Sequence, residues 1–365
     1  MPDYIEGRVD CTVLRGPIDR KGKLGSGIPS LEYYVPDYSL LDSADWPYRP
    51  EDSYFCRTTK GCIRRCKFCA VPHLEPRFAR NWHWKKEIAE VRKRHGERQN
   101  LVLLDNNVVA SPHFQEIIAD IRREGFEKNA TRNGRRRTVD FNQGIDARLI
   151  TKNVAKELVS INLTPVRLAF DFDGMEPRYR TAVERLAAVG FRRFTTYLMF
   201  NFNDTPRSLY RRMKVNLHLS RTLGVEITGF PMRFTPINDV NRQYVSPGWN
   251  WRYLRGIQCV LLATPGLVSP HREFFLRAFG NSFDEFLEIL SMPDRYIIQR
   301  DKYEHGEAAD WRKRFVRFSP SAREEFLSIL AKLNGSRDKK REMARHKRFR
   351  GLLEHYYPGG NVLRE

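Results

Sequence analysis

The sequence predicts an α/β fold built on parallel strands, and three observations carry that reading. Apolar runs suited to buried strands begin at residues 53, 100, 138, 166, 193 and 226. After the first, they recur at the spacing of a strand–helix unit, roughly 30 residues. Amphipathic helical segments follow the strands. No stretch reaches the about 18 apolar residues that a membrane-spanning helix needs. Near-continuous apolar strands alternating with helices imply right-handed crossovers, in either an open barrel or a doubly wound sheet.

Each element has a local justification. Residues 1–50 hold few apolar periods and read as a lead-in segment. The strands are read at 53–59, 100–105, 138–144, 166–173, 193–202 and 226–234. After the second strand Ser111 is placed to cap a helix and Pro112 suits its first turn. Phe114, Ile117, Ile118 and Ile121 form one stripe, and Gly125 can end it. After the third, Thr151 opens a segment with Val154, Leu158 and Ile161 inward; after the fourth, Tyr179, Val183 and Leu186 recur between Pro177 and Gly190. After the fifth, Thr205 caps, Pro206 opens, Leu209, Met213 and Leu217 face inward, and Gly224 closes. A sixth helix is read at 251–266. From 267 onward the pattern is helical, with 323–335 the clearest case.

In such folds the reactive face lies beyond the C-terminal strand ends. That selects the segments 62–80, 105–111, 144–148, 171–176, 201–204 and 235–250. Arg135, Arg136 and Arg137 precede a strand, so they read as a solvated loop on the other face. In "FDFD" the period of two sets Asp171 and Asp173 on one side, either toward a cavity or at its rim. The loop 235–250 and the residue after it interleave Arg242, Tyr244, Trp249 and Trp251. This suits stacking on bases, or a lid packed on itself.

The chain has 365 residues, 41% of them hydrophobic, which excludes a disordered protein. Its formal net charge of +20 favours polyanions such as RNA. Eight Lys or Arg among residues 337–350 could form a nucleic-acid arm or a solvated, frayed helix. The N-terminus shows no targeting pattern, which points to the cytoplasm.

Three of the six cysteines stand in "GCIRRCKFCAVP", as Cys62, Cys66 and Cys69. Cys11, Cys56 and Cys259 are scattered, so the set is no disulfide framework and the cluster reads as a metal or redox site. A structural zinc normally closes with four ligands and would need His73 or Cys56. A four-iron cluster on three thiolates leaves one iron open to an exogenous ligand.

The stretch "TTKGCIRRCKFCAVPHLEP", with Phe68 just before the third cysteine, resembles the signature of radical S-adenosylmethionine (radical SAM) enzymes. Within them it is similar to tRNA methylthiotransferases and cobalamin-associated members. The six units match the partial (β/α)6 barrel of that superfamily. The resemblance implies a barrel at 51–266 and a helical, basic region at 267–365. It makes 1–50 the remnant linker of a missing N-terminal domain. It implies a [4Fe-4S] cluster on Cys62, Cys66 and Cys69, with the amine and carboxylate of SAM on the open iron. A 5′-deoxyadenosyl radical would then abstract hydrogen from a large or anionic substrate. An electron donor of flavodoxin or ferredoxin type is implied as a partner.

The second strand ends "LLDNN" where the superfamily often has a Gly-Gly-Glu type segment. Asp105 or Asn106 would meet the SAM amine, unless that end only caps the next helix. In "FNQGIDARL" Arg148 would pair with the SAM carboxylate and Asn142 or Gln143 with the ribose. Asp146 joins them as a candidate, and a structural polar network is the alternative. The stretch "IPSLEYYVPDYSLLD" resembles the linker that follows a cobalamin-binding domain, yet no D-x-H-x-x-G motif is present, so no cobalamin site is expected in this chain. Cys11 is the one upstream cysteine, where a methylthiotransferase carries a second triad. Nucleic-acid modification of the methylthiotransferase type is the alternative among enzymes. A non-catalytic, zinc- or cluster-stabilised nucleic-acid-binding protein is the alternative outside them.

Overall fold

The computed structural model describes residues 8, 35–41, 52–334, 336 and 338–357. Most of the lead-in, Cys11 included, lies outside the described residues, as does Arg337. The chain divides into two compact units. One is drawn from Met1–Gln143 and Glu157–Thr164, the other from Gly144–Lys156 and Pro165–Glu365.

Six parallel strands appear where apolar runs predicted them, each ending earlier than expected. The first unit holds β1 (Ser53–Cys56), β2 (Asn100–Leu103) and β3 (Val139–Phe141), in that order. The second holds β4 (Val166–Ala169), β5 (Arg193–Phe200) and β6 (Glu226–Arg233), ordered β6-β5-β4. All four ladders are parallel. The expected α/β class is present, but as two three-stranded sheets. Neither sheet shows the strand-order reversal of a doubly wound fold.

In the first unit Leu101, Leu103, Val139 and Phe141 form the sheet's core. The helix α1 (Trp84–His95) buries Trp84, Ile88 and Val91. The helix α2 (Phe114–Ile121) buries the predicted stripe. It starts three residues after Ser111, whose hydroxyl accepts from the His113 amide at 3.2 Å in a preceding turn. Gly125, at φ 82°, breaks the helical path as expected. The edge strand β1 is covered from the lead-in: the Phe55 amide donates to the Tyr38 hydroxyl at 2.8 Å.

The basic run departs from expectation. Arg135–Arg136 pair antiparallel with Thr131–Arg132 across Asn133 (φ 52°) and Gly134 (φ 71°), a tight hairpin rather than a loop. Arg137 is buried over the Phe126 ring at 3.8 Å and donates to Glu97 at 2.6 Å. It is a structural cation, not a solvated one.

Thr151 Oγ1, in the second unit, accepts from the Val154 amide at 3.1 Å and opens the helix Lys152–Leu158, whose last two residues are counted with the first unit. The helix α3 (Glu176–Ala188) buries Tyr179, Val183 and Leu186. The helix α4 (Pro206–Leu223) buries Leu209, Met213 and Leu219; Leu217, expected inward, is only half-buried. The helix α5 (Trp251–Ala263) follows, capped by Asn250.

The C-terminal helices belong to this same unit. The basic tail is neither a free arm nor a frayed helix. Met343, Phe349, Leu352 and Leu353 are buried, the Phe349 ring lies 5.7 Å from Phe326, and the Tyr356 hydroxyl donates to the Ser291 carbonyl. No helix among the described residues is long and apolar enough to cross a membrane.

Candidate active site

The chain leaves β2 into Asp105, which is only 2% exposed. Its carboxylate accepts from the Thr58 amide at 3.0 Å and the Thr59 amide at 2.5 Å. It also accepts from both threonine hydroxyls at 2.7 Å. Burial raises this carboxyl above the ordinary range, and the threonine donors draw it back down. Asp105 therefore fastens the segment after β1 to the end of β2. Its oxygens are spent on the fold.

A second carboxylate holds the cysteine loop. Glu75 Oε2 accepts from the Gly61 amide and from Asn106 Nδ2, both at 2.8 Å, and Oε1 accepts from Arg57 at 2.5 Å. Gly61 is required here. Its φ is +68°, and a Cβ would stand 2.3 Å from the Arg77 carbonyl oxygen. Thr59–Lys60 pair antiparallel with Ala79–Arg80, so the loop is closed at its base as well.

Within the loop Cys62, Cys66 and Cys69 are half-buried, while Ile63, Arg65 and Lys67 are exposed. The Cys69 amide donates to the Cys66 carbonyl at 3.0 Å, tightening the turn between two thiols. Cys62 Sγ accepts from the Arg64 amide at 3.3 Å and from Asn107 Nδ2 at 3.5 Å. Asn107 is itself 2% exposed, and its Oδ1 is buried with no hydrogen-bond partner among the described residues. An orphaned acceptor beside a thiol is the kind of group a ligand satisfies.

Among the described residues no three His, Cys, Asp or Glu side chains stand arranged around a single metal ion. A cluster distributes its thiolates over separate irons, and three soft donors on one loop suit that group. The two zinc candidates offer little. His73 is exposed on the single turn Val71–Leu74. Cys56 is buried in β1, where burial and the Asp105 charge push its thiol well up. Cys259 sits buried in α5, its thiol pushed up to about 12 by burial, as a small apolar residue would be used.

The other predicted residues are placed as follows. Asn142 is half-buried just past β3; its amide donates to the Leu103 carbonyl at 3.0 Å and its Oδ1 accepts from exposed Gln143 at 3.2 Å. In the second unit Asp146 caps a short turn and takes Arg148 Nε at 2.6 Å and Nη2 at 3.0 Å, so these two pair with each other. Asp105, Asn106 and Asn107 are thus the predicted segment that meets the cysteine loop.

Beyond β4 and β5, Arg212 is fully buried. It donates to the carbonyls of Phe170, Asp171 and Met199 and to Asp204 at 2.7 Å. Trp249 Nε1 donates to the same Asp204 at 3.0 Å, and Asn201 holds the Phe234 and Tyr244 carbonyls. The loop 235–250 is thereby pinned on its own unit. Asp171 lies in this network, and burial pushes its carboxyl up to about 6 against the pull of Arg212 and Arg148.

Sequence reasoning missed Glu75, Thr58 and Thr59 as working residues. They bound the quoted signature stretch, but their partners lie 14 to 47 residues away, a separation no local pattern encodes.

No protein-family model matches the chain, and no curated protein matches it. Among solved structures it is similar to Streptococcus suis SuiB bound to S-adenosylmethionine, at 12% identity and a TM-score of 0.39, over 57% of this chain and 46% of SuiB. SuiB bound to its precursor peptide SuiA gives 12% identity and 0.39, over 68% and 47%. HydG, a maturase of the [FeFe]-hydrogenase, gives 16% and 0.39, over 55% and 47%. The chain thus spans less than half the length of each. At that level the likenesses assign no activity.

Proposed function

We propose that this chain is a radical SAM enzyme with one [4Fe-4S] cluster on Cys62, Cys66 and Cys69, within a partial (β/α)6 barrel. The observation that carries the reading is three half-buried thiols on a loop fixed by Gly61 and Glu75, beside the unpaired Oδ1 of Asn107. Bound there, the cluster and SAM would supply one-electron cleavage of SAM and hydrogen abstraction from the substrate.

The chain's own residues prepare that chemistry. Glu75 and Asp105 anchor the segments that flank the cysteines, which would lower the ordering cost of binding. Asn107 Nδ2 already donates to Cys62, and its Oδ1 would accept from the SAM amine. Asn106 is held by Glu75 and shapes the rim. Asn142 and Gln143 are proposed for the ribose. The substrate is a large or anionic molecule, in keeping with the charge of +20. Cys56 and Cys259 are buried and unsuited to a second cluster, which weighs against sulfur insertion.

Anaerobic reconstitution is expected to load about four irons per chain, as one cluster requires. The reduced protein is expected to release 5′-deoxyadenosine from SAM. Cys66→Ala should lose both. A folded Cys66→Ala protein that still releases 5′-deoxyadenosine at the wild-type rate would sink the assignment.

A further inference from the structure

The second unit carries a cavity of about 470 Å³ at the start of β6, the end opposite the C-terminal strand ends. Lys214, His218 and Arg221 reach it from the last turns of α4, and His271 and Arg272 from the start of the helix Arg272–Phe279. Leu217 and Val225 give it an apolar lining. Glu226 is the one acid in the wall, and it stands 3.7 Å from Arg193.

Several arginines of this unit have carboxylate partners: Arg277 has Asp301 and Glu304, Arg312 has Glu285 and Glu288, and Arg314 has Asp310. Lys214, Arg221 and Arg272 have no acidic partner among the described residues; Lys214 lies 6.0 Å from the Phe275 ring. The N-cap of the helix, His271, makes no side-chain cap bond, and Glu273 stands in the first turn. Cations converging on one concavity repel one another unless an anion joins them.

We propose that this cavity binds the phosphate group of a nucleotide-sized ligand. The cations take the phosphate, and the apolar wall takes the rest of the molecule. The volume lies in the range of small-molecule sites. The source is a free phosphorylated molecule or the terminal phosphate of an RNA chain, and the two share this chemistry. The site is independent of the cysteine loop.

Calorimetry on the full chain at low salt tests it with inorganic pyrophosphate and AMP. Arg221→Ala/Arg272→Ala removes two exposed cations and is expected to weaken both by about tenfold or more. Lys93→Ala/Arg94→Ala, exposed on α1, should leave binding unchanged. A 5′-phosphorylated oligonucleotide bound more tightly than its 5′-hydroxyl form would assign the RNA terminus; no preference would assign the free molecule. Binding that is undetectable, indifferent to the Arg221/Arg272 pair, or equally weakened by the Lys93/Arg94 pair would overturn the proposal.

Discussion

Asp105 and Asp171 both follow the end of a parallel strand, and burial raises both. Their neighbours separate them. Asp105 collects amides and hydroxyls from two threonines, so its charge is compensated by fixed donors. Asp171 relies on the more diffuse fields of Arg212 and Arg148, and settles near 6. That value lies above an ordinary aspartate near 3.9. Between about pH 4 and 6 the native state therefore holds more protons than the unfolded chain, and stability falls as pH rises. Above 6 the penalty levels off at roughly 3 kcal/mol, at about 1.4 kcal/mol per pH unit. Asp171→Asn is expected to be more stable than the wild type at pH 7.5 and no more stable at pH 4, by urea midpoints. An equal advantage at both values would show that charge is not the cause. The alternation rule paired Asp171 with Asp173 on one side, but β4 ends at Ala169, and beyond it the period of two no longer applies.

At the scale of elements, punctuation was the legible part. Thr205 Oγ1 accepts from the Ser208 amide at 3.3 Å and Gly224 closes α4 at φ 60°, as their positions predicted. Asn133-Gly134 carried an equally clear hairpin signal, overshadowed by the arginines that follow. The helix α1 lacked only the opening mark: its N-cap His83 makes no side-chain bond, although Gly96 closes it at φ 79° and Trp84, Ile88 and Val91 form its inner stripe. Close backbone packing was invisible too. Gly256 lies inside α5, where a glycine reads as a weak helix former. A Cβ there would stand 2.3 Å from the Leu290 carbonyl oxygen and 2.6 Å from Leu290 Cα. The helix Phe283–Ser291 can approach only because that Cβ is missing. Gly256→Ala, which on propensity alone should help by about 1 kcal/mol, is expected to destabilise by about 3 kcal/mol through overpacking. A rise in thermal midpoint would show that the helices separate at little cost.

For the whole molecule, charge alone left the basic tail undecided between an arm and a frayed helix. Its apolar residues decide the matter, because Phe349, Leu352 and Leu353 dock it. Much of its charge is answered locally: Arg345 by Glu342, Arg348 by Glu325 and Arg350 by Glu354. Lys340, Arg341 and Lys347 are exposed and have no acidic partner among the described residues. Removing the tail from Asp338 onward would uncover Phe326 and Trp311, and is expected to cost on the order of 5 kcal/mol. Deletion thus cannot separate a binding role from a folding one, whereas neutralising the three free cations can. Lys340→Gln/Arg341→Gln/Lys347→Gln is expected to fold within about 0.5 kcal/mol of the wild type. On single-stranded RNA its log–log salt slope should flatten by about 0.7 for each cation that meets a phosphate. An unchanged slope in a variant of wild-type stability would leave these cations as solvated surface, and the tail as a strap held by its apolar side.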